Sequence, residues 1–264
     1  MGMVIVFFAV SILSSIAGSI CGIGGGVIIK PVLDATGIMS VSAISFLSGC
    51  TVLAMSVVSV YKNVRSKAAK LDLRIATGLA VGAAVGGVLG KTMFQSLKEA
   101  VGNEAVVGMT QALVLIAVTL GTLIYTVYKQ RIRTKTYTQI WLCVVIGILL
   151  GVMSSFLGIG GGPINLVVLA YLFSMSTKEA ALSSLYIIMF SQITSLIQTC
   201  ATGSIPKVSA AYLAAMVVGG ILGGTLGSKV NKKISEEGVN KLFIALMAVI
   251  IGINIYNAVK FGMA

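Results

Sequence analysis

The pentapeptide GIGGG occurs twice in this chain, as Gly22–Gly26 and again as Gly158–Gly162. The two copies lie 136 residues apart, and each is followed by a short apolar piece, at about 27–37 and 163–174. Consecutive glycines are poor helix formers because glycine loses more backbone freedom on folding than any other residue. Neither short piece reaches the roughly 20 residues that a membrane-spanning helix needs. We therefore predict that each motif interrupts a helix, and that each short piece is half of a broken or re-entrant helix.

The rest of the chain has the composition of a polytopic membrane protein. Of its 264 residues, 57% are hydrophobic, 10% are charged and 31 are glycine, whereas a soluble domain carries about 25% charged residues and about 7% glycine. Polar breaks delimit eight longer apolar stretches, at about 3–20, 40–61, 75–93, 105–128, 139–157, 180–201, 209–228 and 242–259. We predict an all-α polytopic protein embedded in the lipid bilayer.

The two motifs belong to a longer internal repeat. The offset of 136 also pairs Ser19 with Ser155 and Ser48 with Ser184. An offset of 137 pairs four glycines of each half, namely Gly82, Gly86, Gly87 and Gly90 with Gly219, Gly223, Gly224 and Gly227. Chance explains one such match but hardly an ordered series. We predict two homologous transmembrane halves, 1–130 and 139–264, joined by a basic cytoplasmic linker at 131–138.

Basic residues indicate that the two halves have opposite orientations in the membrane. The loop 62–74 holds five basic residues, while its partner in the second half holds only Lys207. The next loop has the opposite bias: it holds Lys91 and Lys98, while its counterpart 229–241 in the second half holds four lysines. Because cytoplasmic loops carry an excess of Lys and Arg, equivalent loops are expected on opposite sides. An inverted-topology repeat puts 14 of the 19 basic residues on the cytoplasmic side, against 11 for parallel halves. Transporters built this way bind substrate near the bilayer midplane.

The chemistry of the motif favours a small anion. A helix that begins after a glycine cluster presents unpaired N–H groups and the positive end of its dipole, which together bind anions without a charged side chain. Hydroxyl and amide groups around the motif add further donors. The candidate substrate-binding residues are Gly22, Gly24, Gly25, Gly26, Ser19, Ser48, Lys30, Gly158, Gly160, Gly161, Gly162, Ser155, Ser184, Asn165 and Gln192.

Each of these candidates also has a purely structural interpretation. Small residues allow membrane helices to pack closely, and this is the reading we favour for the glycines spaced four apart. Most of the polar side chains could instead form interhelical hydrogen bonds. Lys30 lies inside an apolar piece, where a charge indicates function, but it could reach the interface or pair with Asp34 one turn later.

Several other classes of function are excluded or disfavoured by composition. The chain has no histidine, and its four cysteines (Cys21, Cys50, Cys143 and Cys200) stand alone, so no metal or cofactor is expected and an enzyme is disfavoured. GIGGGVIIK lacks the spacing and the GK[ST] ending of a phosphate-binding loop. The net charge of +12 is explained by loops rather than by a nucleic-acid site. A homodimer is an assembly that the sequence leaves open.

The sequence resembles the TauE/SafE family of membrane transporters. The residues that carry the resemblance are SICGIGGGVIIKPVL (Ser19–Leu33), SFLGIGGGPINLVVL (Ser155–Leu169) and the helices ending in GGVLGKTM and GGTLGSKV. The resemblance implies export of sulfite, sulfoacetate or related organosulfonates across a bacterial inner membrane. Pro31 departs from strict symmetry, since Val167 holds its place in the second half. An anion channel, or a permease for another small anion, is the alternative.

Overall fold

The structure is a computed structural model that describes residues 2–66 and 69–263. It is all-helical in this part of the chain, with ten α-helices and one short 3₁₀ turn at Lys129–Arg131. The helices are α1 Gly2–Cys21, α2 Gly26–Thr36, α3 Val41–Arg65, α4 Leu73–Val101, α5 Glu104–Tyr128, α6 Ile140–Phe156, α7 Pro163–Phe173, α8 Thr177–Ala201, α9 Ala210–Lys233 and α10 Glu236–Gly262. Seven of them are long and apolar enough to cross a membrane, and α2, α6 and α7 are shorter. The prediction of an all-α polytopic membrane protein is confirmed.

Short polar residues fix where several helices begin. Ser40, Asp72, Asn103 and Ser209 each accept a hydrogen bond from a backbone N–H of the first turn of α3, α4, α5 and α9. Ser176 and Glu179 form a reciprocal capping box at the start of α8. Such caps satisfy N–H groups that have no partner inside the helix.

Two helix pairs are held together by glycine. Gly219, Gly223 and Gly227 of α9 lie in turn against Phe8, Ile12 and Ile16 of α1, and a methyl group at Gly223 or Gly227 would lie 2.6 Å from a backbone oxygen of α1. The glycines at 82, 86 and 90 of α4 lie in the same way against the backbone of α6. Backbones approach this closely only where no side chain intervenes. The packing interpretation of these glycines is confirmed.

The order of these contacts gives the helix directions. Residue numbers rise together along α1 and α9, and along α4 and α6, so each of these pairs is parallel. Thr51 and Met55 of α3 lie against Gly220 and Gly224, so α3 is also parallel to α9. The connection 66–72 can extend about 25 Å, which is too short to return along the roughly 38 Å of α3. The chain therefore reverses between α3 and α4.

The two short helices lie among the longer ones. Asn257 of α10 donates a hydrogen bond to the Pro31 carbonyl oxygen at 2.8 Å, and Lys260 donates one to the Ala35 carbonyl oxygen at 2.9 Å. Numbers rise together along these contacts, so α2 is parallel to α10. The bounds of α2 and α7 agree within a residue or two with the pieces predicted at about 27–37 and 163–174.

More basic residues lie at one end of the helix bundle than at the other. Lys129 donates a hydrogen bond to Asn240 Oδ1 at 2.8 Å, which joins the end of α5 to the start of α10. Lys70 and Glu179 line one cavity at this same end. Lys67, counted among the basic residues of the loop 62–74, lies outside the described residues. The expectation that Lys91 lies in a loop is wrong, because α4 continues to Val101 and holds Lys91 within it.

Candidate substrate site

The two GIGGG segments meet each other inside the bundle. A methyl group at Gly24 would lie 3.4 Å from the Gly160 carbonyl oxygen, and one at Gly26 would overlap the Ile159 carbonyl. Gly25 lies against Ser14 and Ser15 of α1. Ser15 in turn touches Gly223, near the midpoint of α9. The sequence therefore brings two irregular segments together at about half the height of the bundle.

Positive backbone angles explain the glycines in both segments. Gly22 and Gly24 have φ of 77° and 70°, and their counterparts Gly158 and Gly160 have 64° and 70°. Side chains other than glycine rarely adopt such angles. The matching values mean that both segments make the same turn.

The helices that follow begin inside the protein. Gly25 and Gly162 are the N-caps of α2 and α7, and neither supplies a side-chain cap. Pro163 occupies the first turn of α7, where its missing N–H costs nothing. Both helices therefore present the positive end of their dipoles toward the junction of the glycine segments.

Unpartnered polar atoms surround this junction. Ser48 and Ser184 are fully buried, and neither hydroxyl has a hydrogen-bond partner among the residues that the structure describes. Ser48 Oγ would lie 2.8 Å from a methyl group at Gly26, and Ser184 precedes by one turn Ile188, which lies against Gly161. Asn165 is also buried, with Oδ1 unpartnered. Buried polar groups normally find a partner, so these atoms are available to a bound ligand or water.

A small polar cavity opens beside the second glycine segment. Its volume of about 20 Å³ is enough for about one water molecule. Three predicted residues line it, namely Ser155, Gly158 and Gln192, and its other lining residues are Ser45, Phe46, Gly49, Lys91, Phe94, Ser195, Leu196 and Thr199. A larger cavity of about 430 Å³ lies next to it and shares Lys91 and Phe94.

The first half has a serine cluster at the corresponding place, beside a smaller cavity of about 10 Å³ that Ser19 and Lys178 help to line. Ser19 Oγ lies 2.8 Å from Ser59 Oγ and 3.2 Å from Ser228 Oγ. Asn231 donates a hydrogen bond to the Ile20 carbonyl oxygen at 2.6 Å, at the end of α1. Ser19 thus contacts two serine hydroxyls, whereas its counterpart Ser155 contacts one, that of Ser191 at 3.4 Å, and each of the two lines a small cavity.

Lys30 is held by its own helix. Its Nζ donates a hydrogen bond to Asp34 Oδ2 at 2.6 Å, and both side chains are more than 90% buried. An ion pair with Asp34 one turn later is one of the two structural interpretations that the sequence offers for Lys30. Its charge is therefore balanced by Asp34 in this structure, and Lys30 is not a free cation.

Sequence reasoning missed Lys91 as a member of the site. It follows Gly90 directly on α4, so the helix that carries the glycine repeat also points a lysine at the polar cavity. A signal was present, because the offset of 137 pairs Lys91 with Ser228, and a lysine in place of a small polar residue is a departure from the repeat.

The model of the protein family described as Sulfite exporter TauE/SafE matches residues 7–255 of the chain. The match covers nearly the whole chain and includes both glycine segments and the polar cavity. Neither the curated proteins nor the solved structures give a match.

Proposed function

The chain belongs to the sulfite exporter TauE/SafE family, and from this premise we propose that it exports small sulfur-containing oxyanions. Sulfite, sulfoacetate and related organosulfonates are the substrates proposed, and the inner membrane is the proposed location. Membership of a transporter family and seven apolar helices indicate a multi-pass membrane transporter and support our proposal that the protein is not an enzyme. The substrate and the site remain our proposal.

The observation that carries the proposed site is the meeting of the two glycine segments beside unpartnered hydroxyls. Backbone N–H groups at the starts of α2 and α7, with the Ser48 and Ser184 hydroxyls, would hold the oxygens of the anion. An oxyanion accepts several hydrogen bonds at once, and helix N-termini favour negative charge. The apolar side chains of Val52 and Ile188 beside the glycines would exclude water from the anion.

We further propose that the two halves form an inverted repeat with re-entrant helices. The helix directions support this: α4 runs opposite to α3, and α3 is parallel to α9, so α4 is antiparallel to α9, its counterpart in the repeat. The basic end of the bundle would face the cytoplasm. An inside-negative potential then favours outward movement of an anion by about 2.3 kcal/mol per charge per 100 mV.

Alternating access is the transport mode that we propose. A large cavity lies at each end of the bundle, with volumes of about 430 and 540 Å³, whereas the cavities next to Ser155 and Ser19 measure only about 20 and 10 Å³. A narrow centre between two wider ends supports alternating access, in which the central site opens to one end at a time. A channel would need both sides open at once.

The test uses proteoliposomes that contain the purified protein and internal unlabelled sulfite. We expect saturable uptake of radiolabelled sulfite by counterflow under anaerobic conditions, and inhibition by organosulfonates. Replacing Gly161, whose φ of 129° and contact with Ile188 leave no room for a side chain, by valine should abolish counterflow. Unsaturable flux with high unitary conductance would support the channel instead, and a Gly161→Val protein that folds and transports normally would refute the site.

The inverted orientation is tested separately by labelling. Single cysteines at Ser66 and Ser204, in a variant without the native cysteines, should react with an impermeant thiol reagent from opposite sides of the membrane. Reaction of both from the same side would contradict the inverted arrangement and leave the substrate proposal standing.

A further inference from the structure

Lys91 is a cation in the middle of a membrane-spanning helix. It lies ten residues before the end of α4 at Val101, which corresponds to about 15 Å along the helix. A charge at this depth is costly, and such residues usually face a wet cavity and mark a substrate path. Lys91 lines both the small polar cavity and the larger one beside it.

The charge of Lys91 has no acidic partner in the part of the chain that the structure describes. The ion pairs found there join Lys30 to Asp34, Lys98 to Glu104 and Lys241 to Glu237. The nearest stabilising group described for Lys91 is the ring of Phe94, whose centroid is 5.1 Å from Nζ. Glu99 lines the larger cavity together with the paired Lys98, but the described lining of the small cavity contains no carboxylate.

Uncharged hydrogen-bonding side chains line the small cavity together with Lys91. Ser45 is 6% exposed, and its hydroxyl has no hydrogen-bond partner within 2–66 and 69–263. A methyl group at Gly158 would lie 2.6 Å from Ser45 Oγ, so this hydroxyl is next to the second glycine segment. Gln192 is 3% exposed and lines the same cavity. One unbalanced cation, one free hydroxyl and one amide therefore converge on a space next to the glycine segment.

The corresponding place in the first half has a different composition. Ser155, Ser195 and Lys91 line the small cavity, and their counterparts at offsets of 136 and 137 are Ser19, Ser59 and Ser228. Ser19 bonds to the other two serines, and the small cavity next to it is lined by Lys178. The two places thus differ in where their lysine lies: Lys91 is on α4, at the position that Ser228 holds on α9, whereas Lys178 is in the first turn of α8.

We propose that Lys91 is the residue that binds the charge of the substrate at one end of the route, between the larger cavity and the glycine segments. The ligand class is a small oxyanion, such as sulfite or a sulfonate group, with Ser45 and Gln192 donating hydrogen bonds to its oxygens. The small cavity must widen to admit it, since about 20 Å³ holds about one water molecule. This inference rests on the proposed function and adds to it a specificity-determining residue.

The test compares Lys91→Gln and Lys91→Arg in sulfite counterflow. A hydrogen bond to a charged group contributes about 1.5–3 kcal/mol, so we expect Lys91→Gln to raise KM for sulfite at least about tenfold. Lys91→Arg keeps the charge and should stay within about threefold of the wild type. Lys241→Gln is the control, because Lys241 is a 76% exposed lysine paired with Glu237, and its KM should not change.

A second variant tests the inference independently, in case Lys91→Gln misfolds. Ser45 has no hydrogen-bond partner to lose in the described part of the chain, so Ser45→Ala should fold normally and raise KM about threefold to tenfold. Saturable wild-type counterflow with both Lys91→Gln and Ser45→Ala at the wild-type KM would overturn this inference alone. Absence of saturable sulfite counterflow in the wild type would overturn the proposed function, and this inference with it.

Discussion

Gly26→Ala is the sharpest test of the contact between the two glycine segments. Gly26 is the first residue of α2, where alanine is ordinarily a better helix former than glycine. Propensity alone therefore predicts that the substitution stabilises the protein. In the structure, however, the new methyl group would lie 2.6 Å from the Ile159 carbonyl carbon and 2.8 Å from Ser48 Oγ, and it would overlap the Ile159 oxygen.

The magnitude follows from which atoms must move. Ile159 belongs to the opposing glycine segment, and its backbone cannot give way by changing a rotamer. Overpacking of a well-filled interior costs about 1–3 kcal/mol, and we expect the upper end of this range. In proteins of about 150–250 residues, 1 kcal/mol shifts Tm by about 2–4 °C. Gly26→Ala should therefore lower Tm by about 6–12 °C.

Thermal unfolding of the purified protein in detergent, followed by size-exclusion chromatography after heating, measures this shift. Gly121→Ala and Gly252→Ala are matched controls, since both glycines are inside long helices and a methyl group at either meets nothing within 4 Å. These controls should keep or raise Tm by the helix-propensity difference, up to about 1 kcal/mol per site. An unchanged Tm for Gly26→Ala, with transport intact, would show that the two segments do not touch as described.

Three further predictions concern single contacts. Lys30→Met should lower the free energy of unfolding by about 3–5 kcal/mol because it leaves Asp34 buried without its partner. The double variant with Asp34→Asn should recover most of this loss in a thermal double-mutant cycle, and additive losses would contradict the pairing. Asn231→Ala removes the donor to the Ile20 carbonyl oxygen and should cost about 1–3 kcal/mol, as measured by the same unfolding assay; a Tm within 1 °C of the wild type would disprove that bond's role. Gly86→Ala should separate α4 from α6 and lower Tm by at least about 2 °C, whereas a neutral effect would mean that these helices are not in backbone contact.

Much of the fold was predictable because its signals are local. The short helices were placed within a residue or two, since glycines and polar residues bound them on both sides. The close packing of the repeated glycines was also predictable, because spacing by four puts small residues on one helix face. The end of α4 is not predicted correctly: the apolar stretch ends at about 93, whereas α4 continues to Val101 and includes both Lys91 and Lys98. A lysine can stay helical where it faces a polar cavity, as Lys91 does.

The candidate site was predictable only in part. The internal repeat treats Ser19 and Ser155 as equivalent, yet Ser19 bonds to Ser228, whereas Ser155 shares its cavity with Lys91. That difference depends on the residues at 91 and 228, which lie on other helices and are far from the two serines in sequence. Which side chains meet at two equivalent positions is a property of tertiary packing, and the repeat pattern carries no information about it.

The glycine-lined pairs α1 with α9 and α4 with α6 limit how this protein can move. Each pair joins one helix from residues 1–130 to one from 139–264, with backbone against backbone. A rigid displacement of one sequence half against the other would pull both pairs apart and expose four helix backbones. Any motion that preserves these contacts must move α1 together with α9 and α4 together with α6. Each group of helices that moves as a rigid body therefore contains helices from both halves of the sequence repeat.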